Sequence, residues 1–515
     1  MSLSGAISID RGVRPPAQAA LDAGFGGDTR HGCVALCDGT RVLGVCEQER
    51  VTRIRGAGFN PSTGLPDEAL DLLLDRLGHT RADIGRYVRA EPAAHDAFDQ
   101  VIDHHLAHAS TAFLTSPFSS AAILVCDHEA PYVTLWHGRD RTIEPIEFTW
   151  RGPGFSELYS QASRALGFGP HAGDQRMEAL ARLAPRARDE ALERDFRLDG
   201  DGFAIGAAWQ RVLDELGAGS GASLATRAAR ASAVQTRLSE LLLELVGQAM
   251  ALTGKTELCL AGSLFYHSAI NTAVKLSVPS ASVFVPVDPG NPGLAVGTAM
   301  HGARLAPRTV SPYLGPAYSS DEIKQTLDNC KVAYEWEDEG AIIGRVVEAL
   351  GRGQMVGWFD GAMEWGPRAL GSRSILANPF APFVLENLNR FLKRREAWRG
   401  YALSGLTETV ARDFEGPATA PFMECDYQPR DRARYAHVLP SPDAAVRVQT
   451  VDSAAPDRFR LLVQAFGEAS GSAVIVNTSF NGFHEPIVCN PRDAVRVFYG
   501  TGLDMLVVGP FVLTK

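Results

Sequence analysis

Short apolar runs punctuate the chain at AAILVCD (121–127), ELCLAGSLF (257–265), SVFVPV (282–287), MVGWFDG (355–361), AVIVNTSF (473–480) and MLVVGPFVL (505–513). Each is rich in Val, Ile or Leu and is bounded by Gly, Asp, Asn or Pro, so each predicts a buried strand. Between them the period changes. Leu70, Leu73, Leu74 and Leu77 repeat at helical spacing, and Gly78 follows as a stop signal. Leu238, Leu241, Leu242 and Leu245 repeat that spacing, as do Ile343, Val346, Val347 and Leu350. Strands interleaved with helices over this length predict an α/β or α+β protein. Residues 304–316, RLAPRTVSPYLGP, concentrate turn formers between two such blocks and predict a domain boundary. The chain shows no short internal repeat and no low-complexity tract.

The length of 515 residues suffices for two or three domains with full cores. Apolar residues make up 45% and charged ones 21%, an ordinary globular balance. A net charge of −10 works against a polyanion, so nucleic acid is not the expected partner. The cysteines at 33, 37, 46, 126, 259, 330, 425 and 489 form no CxxC pair and several sit in strand-like runs. They predict buried, reduced thiols in a cytoplasmic protein. MSLSGAISIDRGVRPP at the N-terminus lacks a long apolar stretch, and no window reaches 18 apolar residues. Neither a secretory leader nor a membrane partner is expected.

Four motifs carry candidate chemistry. In IDHHLAHAS (102–110), His104 and His108 are four apart and share one helix face, a spacing that holds one divalent metal and that also arises by chance. His105 points elsewhere, to packing or a substrate contact. In EWGPRALGSRSILANP (364–379), Arg368, Arg373 and Ser374 lie in a Gly-rich turn after a strand, where backbone N–H groups and guanidinium groups bind phosphate. LNRFLKRREAWR (388–399) gathers Lys393, Arg394, Arg395 and Arg399, either a solvated helix face or the completion of that anion site. In IVNTSFNGFHEPIV (475–488), a strand runs into Asn477, Thr478, Ser479 and Asn481, a place to hold a nucleotide or a capped turn. A Walker A loop and a GxGxxG loop are both absent from the sequence.

Taken together, these segments resemble the nodulation-type O-carbamoyltransferases, which include the tobramycin and cephamycin carbamoyltransferases. The matching stretches are VLGVCEQERVTRIR (42–55), DHHLAHASTAF (103–113), RMEALA (176–181), GLAVGTAM (293–300), EWGPRALGSRSILANP, KRREAWR, VRVQTV (446–451) and NTSFN…EPIV…PRDAV (477–495). The resemblance implies a duplicated actin-like domain over 1–312, similar to the threonylcarbamoyl transferases, and an α+β, YrdC-like domain over 313–515. It implies that the C-terminal domain makes carbamoyl adenylate from carbamoyl phosphate and ATP, with Mg. The N-terminal domain then passes the carbamoyl group to a small natural-product hydroxyl or amine. Lys393, Arg447, Ser479 and Asn477 match the donor and nucleotide ligands, with Arg368, Arg373 and Ser374 in support. His104 and His108 match ligands of an Fe(II)-like metal.

The third metal ligand of the family, an Asp, corresponds in register to Asn291, a weaker neutral ligand; Asp288 stands three residues earlier. The expectation is therefore a weak metal site. Arg176 replaces a family lysine. Gly262, Ser263 and His267 replace a Gly-Gly pair and a downstream Asn, and residues 399–403 (RGYAL) depart from the family RPFAP. These departures leave two alternatives beside the carbamoyltransferase: a relative with an altered acyl donor or acceptor, in an amide- or ring-forming step, and a catalytically weakened binding protein. Asp127 and His128 end a strand, and His31 follows a Gly-rich turn. These three are expected to line the transfer cleft, one histidine acting as general base, unless Asp127 only caps its turn. A homodimer is a further possibility.

Overall fold

The computed structural model describes residues 20–91, 97–148, 150–169, 172–199, 202–203, 207–218, 221–278 and 282–515. The N-terminal stretch read for a leader lies outside these residues. The first sheet runs in the order Val42–Glu47, Cys33–Cys37, Leu21–Gly26, Ile84–Ala90, Gln100–Ile102. The first three strands in the chain form an antiparallel meander, and the last two run parallel to Leu21–Gly26. The second sheet repeats this plan with Thr142–Pro145, Val133–Arg139, Ser120–Cys126, Glu257–Ala261 and Ser282–Phe284. Five strands of the same order and sense thus occur twice.

Two helices, His104–Leu114 and Leu294–Gly302, pack on each other between the sheets. Their contact is built from small residues. A Cβ on Gly24 would lie 2.2 Å from the Ala295 carbonyl oxygen, so the helix LAVGTAMHG settles directly on the first strand only because no side chain intervenes.

The C-terminal sheet has ten strands, mixed in sense, in the order Glu335–Trp336, Phe511–Thr514, Met505–Val508, Val356–Phe359, Arg373–Ala377, Val474–Ser479, Leu403–Leu406, Val446–Val451, Cys425–Pro429, Phe414–Glu415. Helices Glu339–Gly351 and Asp457–Ser470 cover one face through Ile342, Val346, Phe459 and Phe466. Helices Ser320–Cys330 and Pro491–Gly500 belong to the second core. The three large sheets stay on their own sides of residues 304–316, since no strand ladder crosses that segment among the described residues. No helix there is long and apolar enough to cross a membrane. All eight cysteines are free and only Cys330 is not fully buried, as their apolar settings predicted.

Candidate active site

Asp103 caps the helix that follows it, accepting from Leu106 N at 2.8 Å, so the helix starts at His104 and its four-residue spacing puts His104 and His108 on one face. That face meets Asp127, which ends the strand Ser120–Cys126. His104 Nε2 lies 3.2 Å and His108 Nε2 3.6 Å from Asp127 Oδ2. The three ligand atoms fall within 4.8 Å of one another. The carboxylate that geometry brings to the pair is therefore Asp127, not Asn291. Asn291 opens the short turn Asn291–Gly293, packed by its backbone against Gly26, and its side chain makes no hydrogen bond to either imidazole among the described residues. Asp288 is taken up by the Tyr266 hydroxyl and by Gly290 N at 3.0 Å.

The residues present fit a cation. His104 Nδ1 lies 3.1 Å from the Glu91 carbonyl and must donate to it, which turns the lone pair of Nε2 toward Asp127. Two acceptors face each other there unless a proton or a metal stands between them. Both ring nitrogens of His108 are buried without a hydrogen-bond partner among the described residues. Burial works against charge on both groups. The Asp127 carboxylate nevertheless raises the His104 pKa, and the His108 and His104 rings with the Ser263 N–H hold the Asp127 carboxyl well below the usual range.

Beside this cluster the strand Glu257–Ala261 turns at Gly262, whose φ of 100° is a conformation open to glycine, and Ser263 begins a short 3-10 helix. Glu257–Ala261 runs parallel to Ser120–Cys126 with Ala261 opposite Val125, so Ser263 emerges next to Asp127. Ser263 N donates to Asp127 Oδ1 at 2.9 Å, and Ser263 Oγ lies 2.7 Å from His128 Nδ1. His128 Nε2 lies 3.0 Å from Ser160 Oγ, which donates to Asp174. His128 thus meets Ser263 and Ser160 beside Asp127. His31 does not join it: exposed, with φ 58°, it sits against the 49–56 turn, its N–H on Gly56 O at 3.1 Å.

Across the 304–316 segment the two halves meet through charge. Glu178 is buried and holds Arg182 at 3.0 Å and Arg447 at 3.1 Å. Arg182 also reaches Asp426 at 2.9 Å, and Ser268 Oγ donates to Asp426 at 2.6 Å. Arg368 donates to the Tyr266 carbonyl at 3.5 Å, and burial with the nearby Arg447 lowers its pKa to about 9. Three guanidinium groups thus share two carboxylates, a surplus of positive charge at a buried junction. Arg447 was expected beside Lys393, but its guanidinium is spent on Glu178 and Ser268 because its strand abuts the N-terminal half.

Lys393 and Ser479 do converge. Lys393 follows the π-helical turn Asn387–Leu392, a distortion often seen at functional sites, and its ammonium donates to Ser479 O at 2.6 Å and Asn481 O at 3.2 Å. Its recorded partners are neutral, and burial together with Arg395 holds its pKa well below the lysine range. The run 393–399 is a turn rather than a solvated helix face. Burial lowers the Arg395 pKa and that of Arg399, the latter to about 10. Arg176 crosses from the N-terminal half to Glu396 at 2.7 Å. Ser374 pairs across strands with Ser479, and Ser404 with Gln449, so these side chains and Asn477 share one face of the sheet. Asn477 is tied inward to Ser404 Oγ at 2.9 Å, and its oxygen has no partner among the described residues. Arg373 is a correction: fully buried, it donates through both terminal nitrogens to the carbonyls of Asp360, Ser372, Pro316 and Gly361 and stacks 3.6 Å over Phe359, so those nitrogens hold a turn rather than a phosphate. Ser374 Oγ likewise accepts from Gly371 N at 3.1 Å.

Glu178, Asp426, Ser160 and Asp174 carried no recognisable spacing. They meet only through folding, and Glu178 within RMEALA was the one with a motif around it.

The carbamoyltransferase N-terminus model matches residues 96–300 and the carbamoyltransferase C-terminus model residues 347–515. The chain is 28% identical over 434 residues to the nodulation protein NolO of Bradyrhizobium diazoefficiens, covering 80% of this chain and 79% of that one. It is 34% identical over 235 residues to a 3'-hydroxymethylcephem-O-carbamoyltransferase of Amycolatopsis lactamdurans, covering 44% of this chain and 43% of that enzyme. Among solved structures, the activator of the 2-hydroxyisocaproyl-CoA dehydratase from Clostridium difficile matches 55% of this chain and 94% of its own at 13% identity, with a TM-score of 0.37. Both family modules thus occur in one chain, N-terminal before C-terminal, over more than half its length, and the chain belongs to the carbamoyltransferase family.

Proposed function

We propose that residues 313–515 make carbamoyl adenylate from carbamoyl phosphate and ATP, and that residues 1–312 transfer the carbamoyl group to a small natural-product hydroxyl or amine. The observation that carries this reading is Lys393: a buried ammonium whose partners are neutral awaits an anion, and it stands on a face with Ser479 and near Arg395 and Arg399. A carbamate carbon is a poor electrophile, because its nitrogen donates into the carbonyl. Water takes the phosphoryl group of carbamoyl phosphate as inorganic phosphate. The freed carbamate oxygen attacks the α-phosphorus of ATP, and pyrophosphate leaves. Lys393 and the arginines stabilise the charge that builds on phosphate oxygens. The mixed anhydride carries AMP as a good leaving group, and it must be kept from water.

The junction of Arg368, Arg447 and Arg182 lies between the two halves, where an adenylate phosphate would offset its surplus charge. On the transfer side, His104, His108 and Asp127 would hold a divalent ion, which supplies Lewis-acid polarisation of an oxygen when bound. Asp127 orients both imidazoles and anchors the Ser263 turn whether or not the ion is present. The acidic balance of the whole chain agrees with a small acceptor rather than a nucleic acid. Release of pyrophosphate from ATP by the purified chain, dependent on carbamoyl phosphate, tests the reading; ADP as the product would refute it.

A further inference from the structure

We propose that Ser263 is a nucleophile that takes the carbamoyl group covalently, with His128 as its base. The inference rests on the transfer reading above for its donor, and on geometry for everything else.

The direction of the hydrogen bonds assigns the roles. Asp174, as a carboxylate, only accepts, so Ser160 gives it its proton. Ser160 Oγ then has only lone pairs to offer His128, and His128 Nε2 at 3.0 Å must be the N–H. Nδ1 is left with a lone pair, and that lone pair faces Ser263 Oγ at 2.7 Å. Asp174 and Ser160 thereby fix the tautomer in which His128 Nδ1 can accept a proton from Ser263, whose Oγ has Ser156 Oγ at 3.2 Å as its second and longer partner. A hydroxyl, a base within hydrogen-bond reach and a third group orienting the base form the signature of an activated nucleophile.

The backbone supports the same role. Ser263 sits where a parallel strand turns sharply into a helix, and the turn is held by Gly262 at φ 100°. A Cβ there would lie 2.1 Å from the Cys126 carbonyl oxygen, so the tight turn that presents Ser263 depends on that glycine. Strand-to-helix turns of this kind expose a serine at the carboxyl end of a sheet, where α/β enzymes place their chemistry. Ser263 is only half-buried, and His128 is exposed, so both are open to solvent.

In the step, Ser263 Oγ attacks the carbamoyl carbon while its proton passes to His128 Nδ1. The bond from that carbon to the adenylate oxygen breaks, AMP leaves with the electron pair, and the proton on His128 Nδ1 passes to the departing AMP phosphate or to water, which restores the base. The acceptor hydroxyl or amine then attacks the carbamoyl-serine, its proton replaces the one on Ser263 by way of His128, and the carbamate product departs. No oxidant or further reactant enters. Ser160 and Asp174 are positioning residues.

An activated aryl carbamate, 4-nitrophenyl carbamate, tests the nucleophile without ATP. The full-length chain should release about one equivalent of nitrophenolate in a burst, and peptide mass spectrometry should place the carbamoyl group on Ser263. Ser263→Ala should lose the burst, His128→Gln should slow it ~10²-fold or more, and Asp174→Glu should restore what Asp174→Asn loses. Isotope-labelled carbamoyl phosphate with ATP, without acceptor, should label the same peptide. A carbamate that leaves Ser263 unmodified in the wild-type chain overturns the proposal, as does undiminished transfer by Ser263→Ala. Pyrophosphate is measured in the same mixtures: its absence with ATP and carbamoyl phosphate would count against the adenylation reading, while the aryl carbamate still decides the role of Ser263.

Discussion

Lys393→Met separates the chemistry of the anion site from its contribution to the fold. The ammonium is buried and shares its three protons among Ser479 O at 2.6 Å, Asn481 Oδ1 at 2.5 Å and Asn481 O at 3.2 Å. Burying an ion costs several kcal/mol, and hydrogen bonds to a charged group return about 1.5–3 kcal/mol each. The two nearly offset, so the ligand-free variant should unfold within about 1 kcal/mol of wild type. Burial and Arg395 push the lysine pKa down, so between the lowered value and 10.5 the unfolded chain binds a proton that the folded one does not. Stability of the wild type should therefore climb as pH rises through that window, and Lys393→Met should lose the climb. A bound anion reverses the balance by pairing with the charge. Carbamoyl phosphate at a hundred times its Kd should stabilise wild type by about 2.7 kcal/mol and the variant by far less. Loss of one charge at the transition state removes about 2–4 kcal/mol, a fall of roughly 30- to 1000-fold in pyrophosphate formation. Thermal unfolding with and without carbamoyl phosphate, beside a pyrophosphate assay, reads all three. Pyrophosphate formation within a factor of two of wild type would refute the assignment.

Asp127→Asn should lower carbamoyl transfer about 10²-fold or more while leaving adenylation in place, and elemental analysis should show less divalent metal than in wild type; loss of pyrophosphate formation as well would mean that the residue serves the fold. Burial raises the Asp288 pKa from 3.8 to about 6 against the pull of the Tyr266 hydroxyl. The folded state thus keeps a proton that the unfolded chain releases. Stability should fall as pH rises from about 4 to about 6, by about 3 kcal/mol, and denaturant titrations of Asp288→Asn should show that fall removed.

The apolar runs located three strands of the second sheet and four of the C-terminal one, because Val- and Ile-rich strands covered on both faces need no polar alternation. The first sheet was not legible. LDAGFG and CVALC are short, the first is interrupted by glycine, and both are covered by the helix Leu294–Gly302 that lies on them. His104 and His108 were legible from spacing within one helix. Their carboxylate was sought by register near residue 291, whereas the strand end that faces them belongs to Asp127. Lys393 with Ser479 followed from the motifs. Arg373 and Arg447 misled, since sequence carries the charge of a guanidinium but not whether backbone carbonyls or Glu178 already occupy it. Ser263 looked like the loss of a glycine. Its chemical meaning depends on His128, 135 residues away, and on the Ser160–Asp174 pair behind it.

The central claim is that one chain activates the carbamoyl group by adenylation and then transfers it. The most direct measurement follows ATP labelled at the α-phosphate, mixed with the purified full chain and carbamoyl phosphate and quenched over time. The account predicts that the label passes first into carbamoyl adenylate, in step with pyrophosphate, and reaches AMP on transfer of the carbamoyl group. Label recovered in ADP, or AMP and pyrophosphate formed at the same rate without carbamoyl phosphate, would contradict it.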